Sequence, residues 1–308
     1  MNTPLPLRDG VAPSYIWLPA GPWSCLLDFL VARFPHVDSA TWTRRMLQGE
    51  VVDAQGRRLL PDTPHRAGLC VFYYRELEAE TPIPFEETIL YQDAHLLVVD
   101  KPHFLPVTPA GRFLHETLLV RLKRKTGLAH LSPVHRLDRE TAGVIVFAIQ
   151  PESRGLYQAL FRERSVTKVY EALAPHLPAL DFPFTYRSRL VTGKAFFRTE
   201  ESGGEPNAET RIDVLQRYGD VSRYELRPVS GKKHQLRVHM AALGAPILND
   251  AFYPQALPCK GDDFSQPLQL LARSLAFTDP LSGEVRQFTS ARQLLTPAEI
   301  VAALSTQS

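Results

Sequence analysis

The sequence is short of cysteine, methionine and tryptophan, with three of each in 308 residues. Cys25, Cys70 and Cys259 lie far apart. An odd, scattered set argues against a disulfide framework and matches no zinc-ligand spacing. The ten histidines contain no HExxH pair, and neither GxGxxG nor a Walker loop is present. These absences lead us to expect neither a metal nor a nucleotide cofactor. No apolar run approaches the roughly 20 residues that span a bilayer. The N-terminal MNTPLPLRDG lacks the basic-then-apolar order of a signal peptide. The expectation is a cytoplasmic protein with no membrane partner.

What is present is ordinary globular material, 44% hydrophobic and 22% charged, enough for one large or two smaller domains. The net charge of +2 is unevenly spread. From Lys101 to Asp250 there are 23 Lys and Arg against 15 Asp and Glu. A basic middle fits an anionic partner such as nucleic acid, and fits equally a surface that is merely basic.

Periodicity divides the chain. Leu26, Leu27, Leu30 and Phe34 repeat as a helix between Trp23 and Phe34, and Ala40–Leu47 reads as a second. GEVVDAQGRRL and LCVFYY read as strands. TPIPFEE, with Pro82 and Pro84, reads as a stiff linker. Beyond it, LLVVD and VIVFAI look like buried strands, and Leu114–Thr126 and PESRGLYQALFRER like helices. SVTKVYEALA, AETRIDVLQRY, SRYELRPV and LQLLARSLAF read as strands, and 182–204 as strands or a hairpin. SGKKHQLRVHMAALG turns into a helix that ends at Gly244, and TPAEIVAAL closes the chain as another. The domain after residue 85 is therefore mixed α+β. We expect an N-terminal unit at 1–80, a linker at 81–88 and a larger domain at 89–308.

The densest chemistry is in HRLDRETAGV, His135–Val144, where Arg136 and Arg139 bracket Asp138 just before an apolar run. Nearby cations keep a carboxylate ionised, so it can serve as a nucleophile or base. A solvated structural turn would look the same. It is not the kinase HRD motif: a leucine splits Arg and Asp, and the Gly-rich loop and DFG are missing. SGKKHQLRVHMAALGAPILND packs Lys232, Lys233, His234, Arg237 and His239 into eight residues, interleaved with Leu236, Val238 and Met240. A half-buried Arg237 would need a carboxylate, and Asp138 is the candidate.

ILYQDAHLLVVDKP, HRLDRETAGVIVFA, KVYEAL and SGKKHQLRVHMAALGAPILND together resemble the RluA family of RNA pseudouridine synthases, over roughly residues 85 to 295. The N-terminal unit is similar to the small S4-type RNA-binding domain. The resemblance implies a bent, mainly antiparallel sheet with a cleft, flanked by helices, plus a small α+β S4-like domain. It implies isomerisation of uridine to pseudouridine in 23S rRNA or tRNA, or both, by a monomeric enzyme that needs no cofactor. Asp138, Tyr170 and Arg237 would be catalytic: Asp138 indispensable, Tyr170 stacked under the flipped base and set for proton transfer, Arg237 paired with Asp138. Arg136 would push into the RNA where the target uridine leaves it, and Lys232, Lys233 and His234 would bind RNA. Arg139 is assigned no role beyond local support. Whether Asp138 attacks the sugar or the ring, or assists proton removal from the sugar, stays open.

Two other readings belong beside this one. A non-catalytic RNA-binding protein could keep the fold without needing Asp138, Tyr170 and Arg237 together. Glycoside hydrolysis would need a second acid near Asp138, and Glu140 is the neighbour in sequence. The chain also departs from the family pattern at His103-Phe104, after Lys101-Pro102, and at Leu271 before Ala272.

Overall fold

The computed structural model describes residues 3–77, 79–195, 197–257, 261–296, 298–299 and 302. It forms two compact units. The first comprises Met1–Glu80, Pro109–Glu116 and Val120–Ala129; the second comprises Thr81–Thr108, Thr117–Leu119 and His130–Ser308.

In the first unit, β1 (Ser14–Trp17), α1 (Leu26–Arg33), α2 (Ser39–Leu47), β2 (Val51–Asp53) and β3 (Cys70–Tyr73) follow in order. The strands form an antiparallel sheet ordered β1-β3-β2. Asp38 starts α2 by accepting the Thr41 N–H at 2.6 Å, which satisfies a donor the helix cannot use. Leu26, Phe29 and Leu30 of α1 meet Trp42 and Met46 of α2 over Val51 and Val71, all fully or almost fully buried. β1 was not read from the sequence, because four residues are too few for a convincing alternation.

The basic helix α3 runs Leu118–Thr126, four residues shorter at its start than expected. The Glu80 carboxylate explains the delay. It accepts the backbone N–H groups of Leu114, His115 and Glu116 at 2.7, 2.8 and 2.8 Å, and so holds them in a turn.

The second unit is an α+β fold around an 11-stranded sheet. Its strands are β4 (Thr88–Gln92), β5 (Leu96–Lys101), β6 (Ser132–Pro133), β7 (Ala142–Ala148), β8 (Thr167–Pro175), β9 (Phe184–Thr192), β10 (Thr199–Ser202), β11 (Ala208–Tyr218), β12 (Val221–Pro228), β13 (Leu270–Thr278) and β14 (Val285–Thr289). The order is β10-β9-β11-β12-β8-β13-β7-β5-β4, with β14 on β13 and β6 on β7. Every pairing is antiparallel except β13 with β7. β5 and β7 are buried along their whole length, as their unbroken apolar runs require.

Helix α4 (Pro151–Arg162) begins with Pro151 in its first turn and buries Tyr157 against the core of β7 and β13. Helix α5 (Gln235–Ala242) seats Leu236 and Met240 on Ile212, Tyr224 and Leu226. The 182–204 region is the hairpin β9–β10.

Segment 81–88, read as a linker, belongs to the second unit. Ile83 is buried and Phe85 stacks on Phe104. Leu271, an unusual residue in the family pattern, is core, packed with Ala142 and Leu173. The expected C-terminal helix lies largely outside the described residues, as does Cys259. Among the described residues no helix is long and apolar enough to cross a membrane.

Gly143 marks where β7 meets β13. Its φ is +112°, and a Cβ there would sit 2.2 Å from the Ala272 carbonyl oxygen and 2.7 Å from the carbon and nitrogen of the same residue. These are backbone atoms and cannot swing away. Gly143→Ala is therefore expected to destabilise the protein by about 3 kcal/mol or more. Urea denaturation checks this, and an unchanged midpoint would show that the two strands separate without cost.

Candidate active site

Three adjacent strands bring the chemistry together. Asp138 precedes β7, Tyr170 lies on β8, and β13 runs between them with Ala272 opposite both Gly143 and Tyr170. The turn into α5 closes the other side. The result is an open cleft, whose walls include Arg136, Asp138, Lys168, Tyr170, His234 and Arg237.

Arg237 organises it. Its side chain is 3% exposed. Nε and Nη2 donate to the two oxygens of Asp250, each at 2.7 Å, while Nη1 donates to Oδ2 of Asp138 at 3.0 Å. Asp250 is further saturated by the N–H groups of Phe252 (2.8 Å) and Tyr253 (3.1 Å). The expected Arg237–Asp138 pair is present. Asp250, the last residue of the quoted motif, supplies the second half of the clamp and was not read from the sequence.

Oδ1 of Asp138 accepts no hydrogen bond among the described residues, and the side chain is 26% exposed. Burial raises the Asp138 pKa, but Arg237, by charge and hydrogen bond, and Lys101 hold the carboxyl below its ordinary value, a pull that His234 joins only once its ring is protonated. Burial, then the Asp138 charge, pushes the Tyr170 phenol well above its ordinary value, so it stays protonated at neutral pH. Arg237 is held above its ordinary value by Asp250 and Asp138, although burial opposes this.

Lys101, fully buried, was also missed. Its Nζ donates to the carbonyls of Pro102 (3.0 Å), Leu105 (2.9 Å) and Arg139 (2.9 Å), which uses all three of its protons. Burial draws its pKa down to about 7, against the pull of Asp138. Lys168 is a third unread residue. It donates to the Ser230 carbonyl at 3.1 Å from the cleft wall, and burial lowers its pKa to about 8.

The other expected residues divide. Arg136 is exposed and lines the cleft. Lys232 and Lys233 are exposed on the turn before α5, and Lys232 reaches the cleft wall. His234, expected to bind RNA, lines the cleft and is buried, 9% exposed, with Nε2 3.7 Å from Oδ1 of Asp138. Its φ of +55° at the N-cap of α5 turns the ring inward. Arg139 gives local support: Nε donates to the Phe104 carbonyl at 3.1 Å. His103 reaches the Glu140 carbonyl at 2.6 Å. Among the described residues Asp138 is the one carboxylate lining the cleft. Glu140 is not in the wall, and Asp250 is enclosed by its partners, so the paired acids of a glycosidase are not assembled.

A profile described as RNA pseudouridylate synthase matches residues 95–242. The chain is 30% identical over 240 residues to an uncharacterized RNA pseudouridine synthase of Synechocystis sp., covering 76% of this chain and 81% of that one. It is 36% identical over 231 residues to the dual-specificity RNA pseudouridine synthase RluA of Haemophilus influenzae, covering 70% of this chain and 97% of that one. The chain belongs to the RNA pseudouridine synthase family. Among solved structures, human RNA pseudouridylate synthase domain containing 4 superposes with a TM-score of 0.52 at 30% identity, over 70% of this chain and 91% of that one. Human RNA pseudouridylate synthase domain containing 1 does so with 0.56 at 26%, over 74% and 98%. The protein is thus an isomerase with the pseudouridine synthase fold, and it converts uridine to pseudouridine in RNA.

The synthase also holds three histidines in neutral form, His234 and His239 buried and His135 partly so. Burial lowers His135 to about 3, and His234 and His239 to about 4, from an ordinary 6.5. His135 accepts the Val146 N–H at Nε2 (3.1 Å), a bond only the neutral ring can make. Between pH 6.5 and about 4 the unfolded chain binds protons that the native state refuses, so stability falls as pH falls through that window. Depressed carboxylates such as Asp138 and Glu171 add a loss of the same sign below the ordinary carboxylate range. The urea midpoint is therefore expected to be clearly lower at pH 4.5 than at pH 7. Equal midpoints would mean that these rings are not held neutral.

Proposed function

We propose that Asp138 is the catalytic carboxylate of this synthase and that its Oδ1 is the reacting oxygen. The observation that carries this is the one-sided hold on the group: Arg237 takes Oδ2 and leaves Oδ1 facing the cleft beside Tyr170. In the reaction the N1–C1′ bond breaks, the uracil turns, a C5–C1′ bond forms, and the proton on C5 is lost while N1 gains one. No electron is gained or lost. An ionised carboxylate can attack C1′ or the ring, or take a proton from the sugar, and the geometry supports each. Tyr170, kept as a phenol, offers the detached base a platform.

The base must leave the RNA stack to reach the cleft. Arg136, exposed at the cleft, fits the role of the residue that fills the gap, while Lys168, Lys232 and Lys233 fit phosphate contacts. The relatives named as dual-specificity RNA pseudouridine synthases support a substrate range wider than one RNA, and we read it as 23S rRNA, tRNA or both. We read the enzyme as a cytoplasmic monomer. The N-terminal unit, with two packed helices on a small sheet and exposed Arg44 and Arg66, fits an S4-like RNA-binding role.

The decisive assay is tritium release from transcripts labelled at uridine C5. Asp138→Asn is expected to release tritium at least about 10³-fold more slowly than wild type, and testing 23S rRNA and tRNA separately names the substrate. Release at the wild-type rate by Asp138→Asn would remove Asp138 from the chemistry. For the N-terminal unit, the double variant Arg44→Glu, Arg66→Glu is expected to raise KM for RNA several-fold with kcat unchanged. An unaltered KM would sink the S4-like assignment.

A further inference from the structure

His234 has a partner on each side. Its Nδ1 lies 2.9 Å from the Tyr253 hydroxyl, and its Nε2 lies 3.7 Å from Oδ1 of Asp138, the oxygen Arg237 leaves open. The same hydroxyl accepts the Thr199 backbone N–H at 2.8 Å. Tyr253 is 5% exposed, and a buried phenol needs an acceptor for its own proton. Among the described residues that acceptor is His234 Nδ1 alone. A neutral imidazole that accepts at Nδ1 carries its proton on Nε2. The ring is kept from rotating by Phe252, stacked at 5.7 Å and 29°, and by the edge contact with Tyr253 at 5.7 Å and 83°.

We infer that His234, locked by Tyr253 as the Nε2–H tautomer, is a neutral donor that positions Oδ1 of Asp138 for reaction. The inference rests on Asp138 being the reacting carboxylate. Arg237 sets one oxygen by charge; His234 sets the other by a hydrogen-bond donor that adds no charge. At 3.7 Å the contact is longer than a hydrogen bond, and it closes when substrate fills the cleft and excludes water. Because Nε2 already holds its proton, His234 is not the base of the reaction. Burial, which lowers its pKa to about 4 against the pull of Asp138, keeps the ring neutral beside Arg237, Lys233 and Asp250.

Two independent readouts test this. In wild-type enzyme labelled with ¹⁵N-histidine, the His234 signals, assigned by their loss in His234→Gln, are expected to show the Nε2–H tautomer from pH 5.5 to 8. In Tyr253→Phe they are expected to move toward a mixture of tautomers. An Nδ1–H tautomer or an imidazolium in wild type overturns the lock.

In the tritium-release assay, His234→Leu is expected to lower kcat on the order of 10- to 100-fold with little change in KM. His234→Gln, whose amide nitrogen reaches the Nε2 position, should recover much of this. His234→Asn, whose amide nitrogen falls at the Nδ1 position, should not. Equal loss in all three variants, or a loss confined to KM, overturns the positioning role. Full activity of Asp138→Asn would show instead that the Asp138 reading had failed, while the tautomer spectra would still report on the lock.

Discussion

One guanidinium holds two carboxylates, and the second unit's chemistry depends on that arrangement. Arg237 is almost fully enclosed, so its charge has lost its water and must be matched by fixed partners. Asp250 meets the flat fork with two parallel bonds, and this fixes the plane in which Nη1 points at Asp138. A lysine would supply the charge without the plane. Asp250 is itself held by the backbone of residues 252 and 253, so α5, the following turn and the HRLD turn are set by one another. The clamp is less a source of stability than a way of giving a flexible carboxylate one orientation.

The residues around Asp138 are immobilised in the same spirit. His135 stacks on Phe161 at 4.4 Å and takes the Val146 N–H. Leu137 is buried. The carbonyl of Arg139 is held by Lys101, which stands opposite Gly143 in the β5–β7 register. Burying a lysine is costly unless its protons find acceptors, and here each of the three does. Arg136, by contrast, is exposed beside the cleft. Two arginines three residues apart thus have opposite surroundings: Arg139 ties down the loop at Phe104, and Arg136 faces solvent where RNA would approach.

Motifs made the centre of this legible. HRLD, KVYEAL and HQLRVH each carry their chemistry in a few adjacent residues, and the need of a half-buried arginine for a carboxylate linked Arg237 to Asp138 before any geometry was known. Partners set by distant pairing were not legible. Asp250 reads as the end of a loop until the turn after α5 brings it back to Arg237, 13 residues away. Lys101 reads as a strand terminator until the carbonyl of Arg139, 38 residues away, joins those of Pro102 and Leu105 around it. Tyr253 lies in a stretch without periodicity. His234 was read among the cations of its motif, and its burial in the cleft wall, at a positive φ on the N-cap of α5, was not legible. The late start of α3 follows from the Glu80 carboxylate, 34 residues from the first N–H it accepts, and no local pattern announces that.

On the reading of Asp138 as the reacting carboxylate, the remaining question is why so many cations surround it without disabling it. An isomerase must keep the carboxylate ionised and yet leave it free to react. Full pairing of both oxygens would lower its energy in the resting state as much as in the reaction, and uniform stabilisation does not speed a step. In this cleft the charged partner takes Oδ2 only. Lys101, the next cation, spends its protons on carbonyls rather than on Asp138. The ring nearest Oδ1 is neutral and stands off at 3.7 Å. The ionised state is therefore secured by field, through charges that are near but otherwise engaged, while the reacting oxygen keeps its lone pairs. On the reading of Asp138 as the catalytic group, the same field also favours the negative charge that develops on uracil as the N1–C1′ bond breaks.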